Sequence, residues 1–330
     1  MATYKDAGVD IAAGDEFVRQ IKPIVRETFS PEVLSDIGHF GAFFDASFPE
    51  YKHPVLVSSV DGVGTKVKLA AIMHRYDTVG QDLVNHCVND IAVCGAKPLY
   101  FLDYYASGKL EPKASVEIVK GFAKACKENG CSLIGGETAE MPAVYDEGDF
   151  DLAGAIVGVV EKDKIIRGDR IEKGDLLVGM ASTGLHTNGF SLARTALLGK
   201  YVVDSYVMEL GKTLGEELLS IHRSYYPTIQ ALMAQIDVHG FSHITGGGIV
   251  GNTMRIVPKG LSLKIDWKSW IVPHIFALIQ TAGVVPDEDM RKTFNLGIGC
   301  IAIVSPKAVD RAMAIMFGNG ERPSVIGEVV

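Results

Sequence analysis

The sequence predicts an α/β (α+β) protein of two domains, because apolar strand-like segments alternate with amphipathic helical segments along both halves. At 330 residues the chain is long enough for two hydrophobic cores. In the first half we expect a helix capped near Asp15, strands at 55–60, 98–106, 131–134 and 151–160, and helices at 65–75, 79–94 and from Pro112 onwards. In the second half we expect strands at 176–181, 297–304 and near Val325, with helices reaching Leu198, covering 224–236, near 273–280 and after 304.

One charged segment interrupts this alternation. Residues 161–175, EKDKIIRGDRIEKGD, carry two glycines and no apolar run long enough for a core strand. Domain boundaries fall in segments of this kind. We therefore predict an N-terminal domain over 1–168 and a C-terminal domain over 169–330.

Composition narrows the class of protein. A formal net charge of −8 disfavours broad nucleic-acid binding, which needs a basic face. The apolar stretch at 152–160 is too short to span a bilayer, and the N-terminal residues lack the apolar region of a secretory signal. Five cysteines without a C-x-x-C pair predict free thiols in a reducing compartment. We expect a cytoplasmic protein with neither nucleic-acid nor membrane partners.

The stretch SSVDGVGTKVKL at 58–69 has the outline of a phosphate-binding loop, with an apolar strand, two glycines, Thr65, Lys66 and a helix. It does not match the Walker pattern, because Lys66 follows Thr65 and Gly62 and Gly64 lie two apart. Asp61 has two interpretations at this point. It caps the following helix, or it reaches phosphates through a Mg²⁺ ion, which prefers carboxylate and phosphate oxygens.

The next predicted helix carries a stripe of short polar side chains. Residues 77–96 contain no Lys, Arg or Glu, and the polar residues recur at helical spacing: Asp82, Asn85, His86, Asn89 and Asp90. A solvated face is the alternative, but solvated helix faces usually carry Lys and Glu. We therefore favour the wall of a site.

A third acidic group, Glu137 with Glu140, follows a short predicted strand and a glycine pair in SLIGGETAEMP. Acidic residues are also common in the first turn of a helix. Ligand groups in α/β proteins concentrate at strand ends. Asp61, Asp90 and Glu137 are therefore candidates to hold one or two Mg²⁺ ions together.

Two glycine loops mark the second half, STGLHTNGFSL at 182–192 and HITGGGIVGN at 243–252. Both precede predicted helices, where backbone N–H groups can bind an anion. The triple glycine is equally compatible with a flexible turn. His186 and His243 neighbour these loops, although a lone histidine is more often structural than catalytic.

Seven ordered blocks together resemble the phosphoribosylformylglycinamidine cyclo-ligase family, the aminoimidazole ribonucleotide synthetases of purine biosynthesis. They span nearly the whole chain: YKDAGVDI (4–11), DGVGTK (61–66), CVNDIAVCGAKPLYFLDYYASGKL (87–110), GGETAEMP (135–142), STGLHTNGFSL (182–192), HITGGG (243–248) and TFNLGIG (293–299). The resemblance implies a homodimeric two-domain ligase whose N-terminal sheets pair into a barrel across the dimer. It also implies ATP-dependent ring closure of formylglycinamidine ribonucleotide to 5-aminoimidazole ribonucleotide, ADP and phosphate.

The resemblance also assigns residues. It implies ATP binding by Lys5, Asp6, Gly8, Asp10, Gly62, Gly64, Thr65, Lys66 and Asn89, and Mg²⁺ binding by Asp61, Asp90 and Glu137. It implies substrate binding by His186, Asn188, His243, Gly246, Gly247 and Gly248, with Lys66 and His186 as the catalytic candidates.

The sequence departs from the family pattern in three places. The usual P-T-R is Ile221-His222-Arg223 here, the proline of N-x-P-R after the triple glycine is Met254, and Ala143 stands where glycine is common. Other enzymes of the superfamily are competitors: selenophosphate synthetase, thiamine-monophosphate kinase and formylglycinamidine ribonucleotide amidotransferase. A nucleotide-binding maturation or scaffold module without turnover is a competitor from a different class. The first is disfavoured because this chain's first cysteine is Cys87, and the last because the predicted site residues are intact.

Overall fold

The computed structural model describes residues 11–330, which form two compact units. The first unit comprises the residues up to Ile91 together with Lys97–Lys162, and the second comprises Ala92–Ala96 together with Asp163–Val330. Residues 92–96 join the second unit because Ala92 is buried in its core and the N–H of Ile166 donates to the carbonyl of Cys94. The sequence placed the boundary six residues later, at 168, within the same charged segment.

The first unit is a four-stranded mixed sheet with helices. Strand order is β1-β4-β2-β3, with β2 and β3 parallel and the other pairs antiparallel. The elements are α1 (Ile11–Arg26), β1 (Pro54–Gly62), α2 (Val67–Met73), α3 (Asp77–Ala92), β2 (Lys97–Ser107), α4 (Pro112–Glu128), β3 (Ser132–Glu140) and β4 (Phe150–Glu161).

Helix α3 is central to this unit and buried on nearly every side. Its close approach to α4 depends on Gly80 and Gly121, because a Cβ at either would lie 2.3 Å from a backbone carbonyl oxygen of the other helix. On the covered face of the sheet, Phe101 packs against Phe122 of α4 with ring centroids 6.3 Å apart. The polar stripe of α3 is therefore held inside a packed layer.

Two expected boundaries in this unit are wrong. Asp15 lies inside α1, so it does not cap that helix; Ala12 and Ala13 favour the helix, and Phe17 and Val25 bury one face of it. Strand β3 continues through the glycine pair to Glu140, because its backbone pairs with β2 along that length. Glu137 and Glu140 therefore lie in a strand and not after it.

The second unit is built on a five-stranded antiparallel sheet in the order β8-β10-β5-β11-β9, with a separate two-stranded hairpin β6-β7. The elements are β5 (Leu176–Ala181), α5 (Phe190–Leu197), β6 (Tyr206–Val207), β7 (Lys212–Thr213), α6 (Leu214–Leu218), α7 (Tyr226–Met233), β8 (Gly240–His243), α8 (Gly248–Thr253), β9 (Leu263–Ile265), α9 (His274–Gly283), α10 (Asp287–Thr293), β10 (Ile298–Val304), α11 (Val309–Gly318) and β11 (Ser324–Val329).

Strand β10 explains the continuous apolar run near the C-terminus. All seven of its residues are buried. Cys300 and Ala302 belong to one hydrophobic cluster, whereas Ile301 and Ile303 belong to another on the opposite face. A strand covered on both faces is uniformly apolar, as observed.

Candidate functional site

Asp61 and Asp90 meet around one imidazole in the first unit. Asp61 is the penultimate residue of β1. One of its carboxylate oxygens accepts from the N–H of Gly62 at 2.7 Å, and the other lies 2.7 Å from His86 Nε2. The Asp90 carboxylate accepts from Ser59 Oγ at 3.1 Å and lies 3.9 Å from the same Nε2. Asp61 of β1 and Asp90 of α3 are distant in sequence, but the fold places their oxygen atoms around the same histidine.

The surrounding carboxylates change the pKa of His86. Burial alone would lower its pKa, but the hydrogen bond to Asp61 and the charges of Asp90, Asp61 and Asp82 together raise it above its ordinary value. The protonated ring is therefore stabilised between the carboxylates.

The cap interpretation of Asp61 is excluded by the local backbone. Gly64–Lys66 form a single 3-10 turn whose N-cap is Val63, and α2 follows with Lys66 as its N-cap; neither cap uses a side-chain hydrogen bond. Gly64 has a φ of +69°, and both Gly64 and Thr65 are exposed. The DGVGTK loop therefore presents its backbone at the surface of the unit beside Asp61.

The side chain of Lys66 does not extend to the surface of the DGVGTK loop. Its side chain is completely buried, and Nζ lies 2.7 Å from a carboxylate oxygen of Asp82, which is equally buried. Burial lowers the pKa of Lys66, and the charge of Asp82 opposes that shift. In this structure the lysine holds the loop to α3, and its direct contact with phosphate stays a prediction.

The remaining members of the polar stripe are also enclosed. Asn89 is buried, and Asn85 Oδ1 accepts from Asn129 Nδ2 at 2.9 Å. A solvated face is therefore excluded for α3. The stripe forms buried polar contacts around Asp61 and Lys66, as a site wall would.

Glu137 lies apart from the other two predicted metal ligands. Asp61 of β1 pairs with Gly154 of β4, Gly154 pairs with Asp103 of β2, and Asp103 pairs with Gly136 of β3. Glu137 therefore lies on the edge strand at the other side of the sheet from β1. Three strand spacings amount to about 14 Å. Within one chain, Glu137 and Asp61 therefore cannot share an ion, and the shared three-carboxylate site does not form.

Glu137 instead lines a cavity of about 610 Å³ that the sequence did not indicate. Apolar side chains of α1 and residues 36–42 form much of its wall, and Asp103 adds a second carboxyl. Burial raises the pKa of Asp103 to about 7, and the charge of Glu137 contributes. Gly136 must be glycine, since a Cβ there would lie 2.4 Å from the backbone carbonyl oxygen of Asp103.

In the second unit, the loop before α5 holds His186 in a left-handed conformation with a φ of +61°. The backbone N–H of Thr183 donates to His186 Nε2 at 3.1 Å. Non-glycine residues adopt this φ rarely, and such positions cluster at functional sites. The ring is therefore locked to its own loop.

The triple glycine is a defined loop and not a flexible turn. Asn252 Nδ2 donates to the carbonyls of Thr245, Gly246 and Gly248 at 2.8–3.3 Å. A Cβ at Gly248 would lie 1.8 Å from the carbonyl oxygen of Arg291.

The two glycine loops approach each other. A Cβ added at Gly246 would lie 3.3 Å from Asn188 Oδ1. The predicted substrate residues His186, Asn188, His243 and Gly246–Gly248 thus belong to two neighbouring loops of one unit.

His222 joins these loops, and the sequence did not assign it a role. Its completely buried ring stacks on His186 with centroids 4.0 Å apart, and its Nε2 lies 3.1 Å from His243 Nε2. The only sequence signal was its departure from the family's P-T-R pattern. Lys5, Asp6, Gly8 and Asp10 lie outside the described residues.

Family models match both halves of the chain. The model described as AIR synthase related protein, N-terminal domain, matches residues 46–160, and its C-terminal counterpart matches 172–330. Proteins named phosphoribosylformylglycinamidine cyclo-ligase are similar at full length. The one from Carboxydothermus hydrogenoformans is 52% identical, covering 99% of this chain and 96% of the relative. The one from Trichlorobacter lovleyi is 50% identical, covering 99% and 95%.

The chain belongs to the phosphoribosylformylglycinamidine cyclo-ligase family. This cyclo-ligase family is ATP-dependent. The mixed α/β two-unit fold predicted from the sequence is confirmed, whereas no closed barrel is present in the part of one chain that spans 11–330. No helix in the same range is long and apolar enough to cross a membrane.

Solved structures that share this fold have low sequence identity to the chain. A thiamine-monophosphate kinase from Stenotrophomonas maltophilia has a TM-score of 0.69 at 16% identity, covering 94% of this chain and 93% of that one. The Escherichia coli hydrogenase maturation protein HypE has a TM-score of 0.65 at 18% identity, covering 94% and 91%. These likenesses concern the fold alone.

Proposed function

We propose that this chain catalyses the ATP-dependent ring closure of formylglycinamidine ribonucleotide to 5-aminoimidazole ribonucleotide in the cytoplasm. The observation that carries the proposal is about 50% identity, over 99% of the chain, to proteins named for that reaction. The convergence of Asp61 and Asp90 beside the DGVGTK loop supports it, because phosphoryl transfer needs anions gathered around a cation.

In the reaction, the γ-phosphoryl group of ATP passes to the formamide oxygen and ADP leaves. An amidine nitrogen then attacks the activated carbon, the C–N bond of the ring forms, and phosphate departs with the former formamide oxygen. The formamide nitrogen and the attacking nitrogen each give up a proton, and one proton moves from the ring CH2 group to the exocyclic nitrogen, which makes the ring aromatic. Since both reacting groups belong to one substrate, the protein contributes mainly by holding the substrate in a closed conformation.

The residues around Asp61 fit a Mg²⁺ ion. Asp61, Asp90 and the hydroxyl of Ser59 supply hard oxygen donors, and the neighbouring carboxylates raise the pKa of His86, so this position favours positive charge. Bound Mg²⁺ would neutralise the charge of the transferring phosphoryl group. The exposed backbone of Gly64 and Thr65 would bind ATP phosphates, while Lys66 braces the loop from within through Asp82.

We assign ATP binding and dimerisation to the N-terminal domain and the ribonucleotide to the C-terminal domain. In the latter, the Asn188 amide and the backbone N–H of Gly246 offer neutral donors for the substrate phosphate, since the N–H groups of Gly247 and Gly248 already donate to backbone carbonyls. His186 and His243 orient the remainder of the substrate.

A homodimer would cover the outer face of the first sheet. Leu56 and Val60 of β1 are 58% and 72% exposed. By the strand pairing, Ala155 of β4 and Leu102 and Tyr104 of β2 lie on the same face of the sheet. An apolar sheet face of this kind is a surface for association. Pairing with a second copy would complete the barrel that the resemblance implies.

The experiment that tests the function supplies purified protein with formylglycinamidine ribonucleotide, ATP and Mg²⁺ and measures aminoimidazole ribonucleotide by its diazotisation colour. We expect product and ADP in equal amounts, and none without metal. A folded, dimeric protein that forms ADP without ring-closed product, or neither, would contradict the proposal.

A further inference from the structure

The histidine cluster of the second unit has a bridging member. We propose that His222 is a positioning residue, which sets the tautomer of His243 and holds the loops at 182–189 and 243–248 in register for the ribonucleotide. The inference rests on the proposed function, since it concerns the loops assigned to that substrate.

The contacts of His222 reach both loops at once. Its ring stacks on His186 at an interplanar angle of 15°, and its Nδ1 lies 3.3 Å from Thr187 Oγ1. On the other side its Nε2 lies 3.1 Å from His243 Nε2, with ring centroids 5.2 Å apart. One buried imidazole therefore contacts His186 and Thr187 of the first loop and His243 of the second.

The contact between the two Nε2 atoms constrains both protons. Two imidazole nitrogens at hydrogen-bond distance need one N–H and one lone pair between them. If His222 Nε2 carries the proton, His243 accepts and is protonated at Nδ1; if His243 carries it, His222 must use Nδ1–H toward Thr187. Each arrangement of His222 permits one arrangement of His243. Both rings cannot be cationic, because two N–H groups would then face each other.

His186 is constrained through a different bond. Because the N–H of Thr183 donates to its Nε2, the neutral ring carries its proton on Nδ1. The stacked His222 ring then limits how that ring can tilt. A ligand at these loops consequently meets hydrogen-bonding groups whose donor or acceptor character is coupled to a buried neighbour, which favours binding by preorganisation.

Two substitutions separate the contacts of His222. In His222→Gln the side-chain amide reaches the former position of Nε2 and can still bond to His243. In His222→Asn the amide reaches only the position of Nδ1, so the bond to Thr187 survives and the bond to His243 is lost. His239→Asn is the control, because His239 lies in the same unit but bonds to Asp175 at 2.7 Å, outside the cluster.

We expect His222→Asn to raise KM for formylglycinamidine ribonucleotide about tenfold, which is the scale of one well-placed hydrogen bond. We expect His222→Gln and His239→Asn to stay within about threefold of the unmodified protein, on the same scale. KM for ATP should not change in any variant. Equal effects of Gln and Asn, or an Asn variant with unchanged KM, would overturn the inference.

Long-range ¹H–¹⁵N NMR of the histidine side chains gives a measurement that is independent of turnover. The tautomer populations of His243 should be similar in the unmodified protein and in His222→Gln, where a hydrogen-bond partner remains at Nε2, and different in His222→Asn. A purely structural role would lower Tm in both variants and leave this tautomer unchanged, which would overturn the inference. If the unmodified protein made no product, the proposed function would fail, while the NMR comparison would still decide the role of His222.

Discussion

The acidic cluster of the first unit and the histidine cluster of the second unit bury polar groups in opposite ways. The first pairs groups of opposite charge, the fully buried Lys66 with Asp82 and the buried His86 with the partly exposed Asp61 and Asp90. The second joins His186, His222 and His243 through hydrogen bonds and ring stacking, and their own loops carry no acidic residue. The first cluster can stabilise a strongly charged ligand, whereas the second can select the orientation of one.

The two clusters also differ in what a substitution is expected to cost. Removing one partner of a buried ion pair leaves a charge without compensation, and this costs much more than losing one neutral hydrogen bond. The first unit should therefore respond to substitution mainly in stability and catalysis. The second should respond mainly in substrate affinity.

The largest effect is expected from Lys66→Met, because it leaves the fully buried Asp82 carboxylate unpaired. The unfolding free energy should fall by about 3–5 kcal/mol. The double substitution Lys66→Met/Asp82→Leu should recover most of this loss in urea unfolding. Lys68→Met is the control, since Lys68 is partly exposed and pairs with Asp149, and it should cost about 1 kcal/mol or less. A double variant as unstable as the single would contradict the paired-charge explanation.

Asp61→Asn tests whether the cluster acts on the phosphoryl group. We expect kcat/KM for Mg-ATP to fall about 100-fold or more, because an electrostatic contact to the developing charge is lost. Glu147→Gln is the matched control, since Glu147 is an exposed acidic residue that pairs with Lys109. Unchanged kcat/KM in a folded Asp61→Asn protein would remove Asp61 from the metal site.

Gly248→Ala tests the rigid loop of the second unit. The added Cβ would meet the carbonyl oxygen of Arg291 at 1.8 Å, at a φ of +67°, so we expect a loss of about 2 kcal/mol or more in stability. Gly251→Ala is the control, because a Cβ there meets nothing within 4 Å. Equal Tm values for the two variants would show that the loop can move to accommodate the added Cβ, which would contradict its description as rigid.

The smallest effect concerns a buried carboxyl in the second unit. Burial raises the pKa of Glu321 from its ordinary value near 4.5, although Arg223 and Thr228 oppose the shift. A raised pKa in the folded state means that its stabilising contribution is present at acid pH and is lost as pH rises through the folded pKa. The unmodified protein should therefore lose stability relative to Glu321→Gln as the pH rises from about 4.5 through the raised folded-state pKa of Glu321. Urea unfolding across that range measures it, and a rising or constant difference would contradict the sign.

Part of the site was predictable because it depends on local patterns. The spacing of Asp82, His86 and Asp90 gives one helix face whatever the fold. Burial of most of that face excludes a solvated face, while its role as a site wall stays a prediction. The start of α1 and the length of β3 were mispredicted, because the packing of α1 and the pairing of β3 with β2 extend beyond local signals.

The sequence by itself determined the alternating elements, the glycine loops, the family and the candidate residues. Only the tertiary structure decided which of them meet: Asp61 with Asp90 but not Glu137, Lys66 with Asp82, and His222 between His186 and His243. The physical reason is that periodicity is a property of neighbouring residues, whereas contact depends on strand order and register. In a sheet ordered β1-β4-β2-β3, residues with similar motifs at strand ends lie on opposite edges, and no local pattern records that distance.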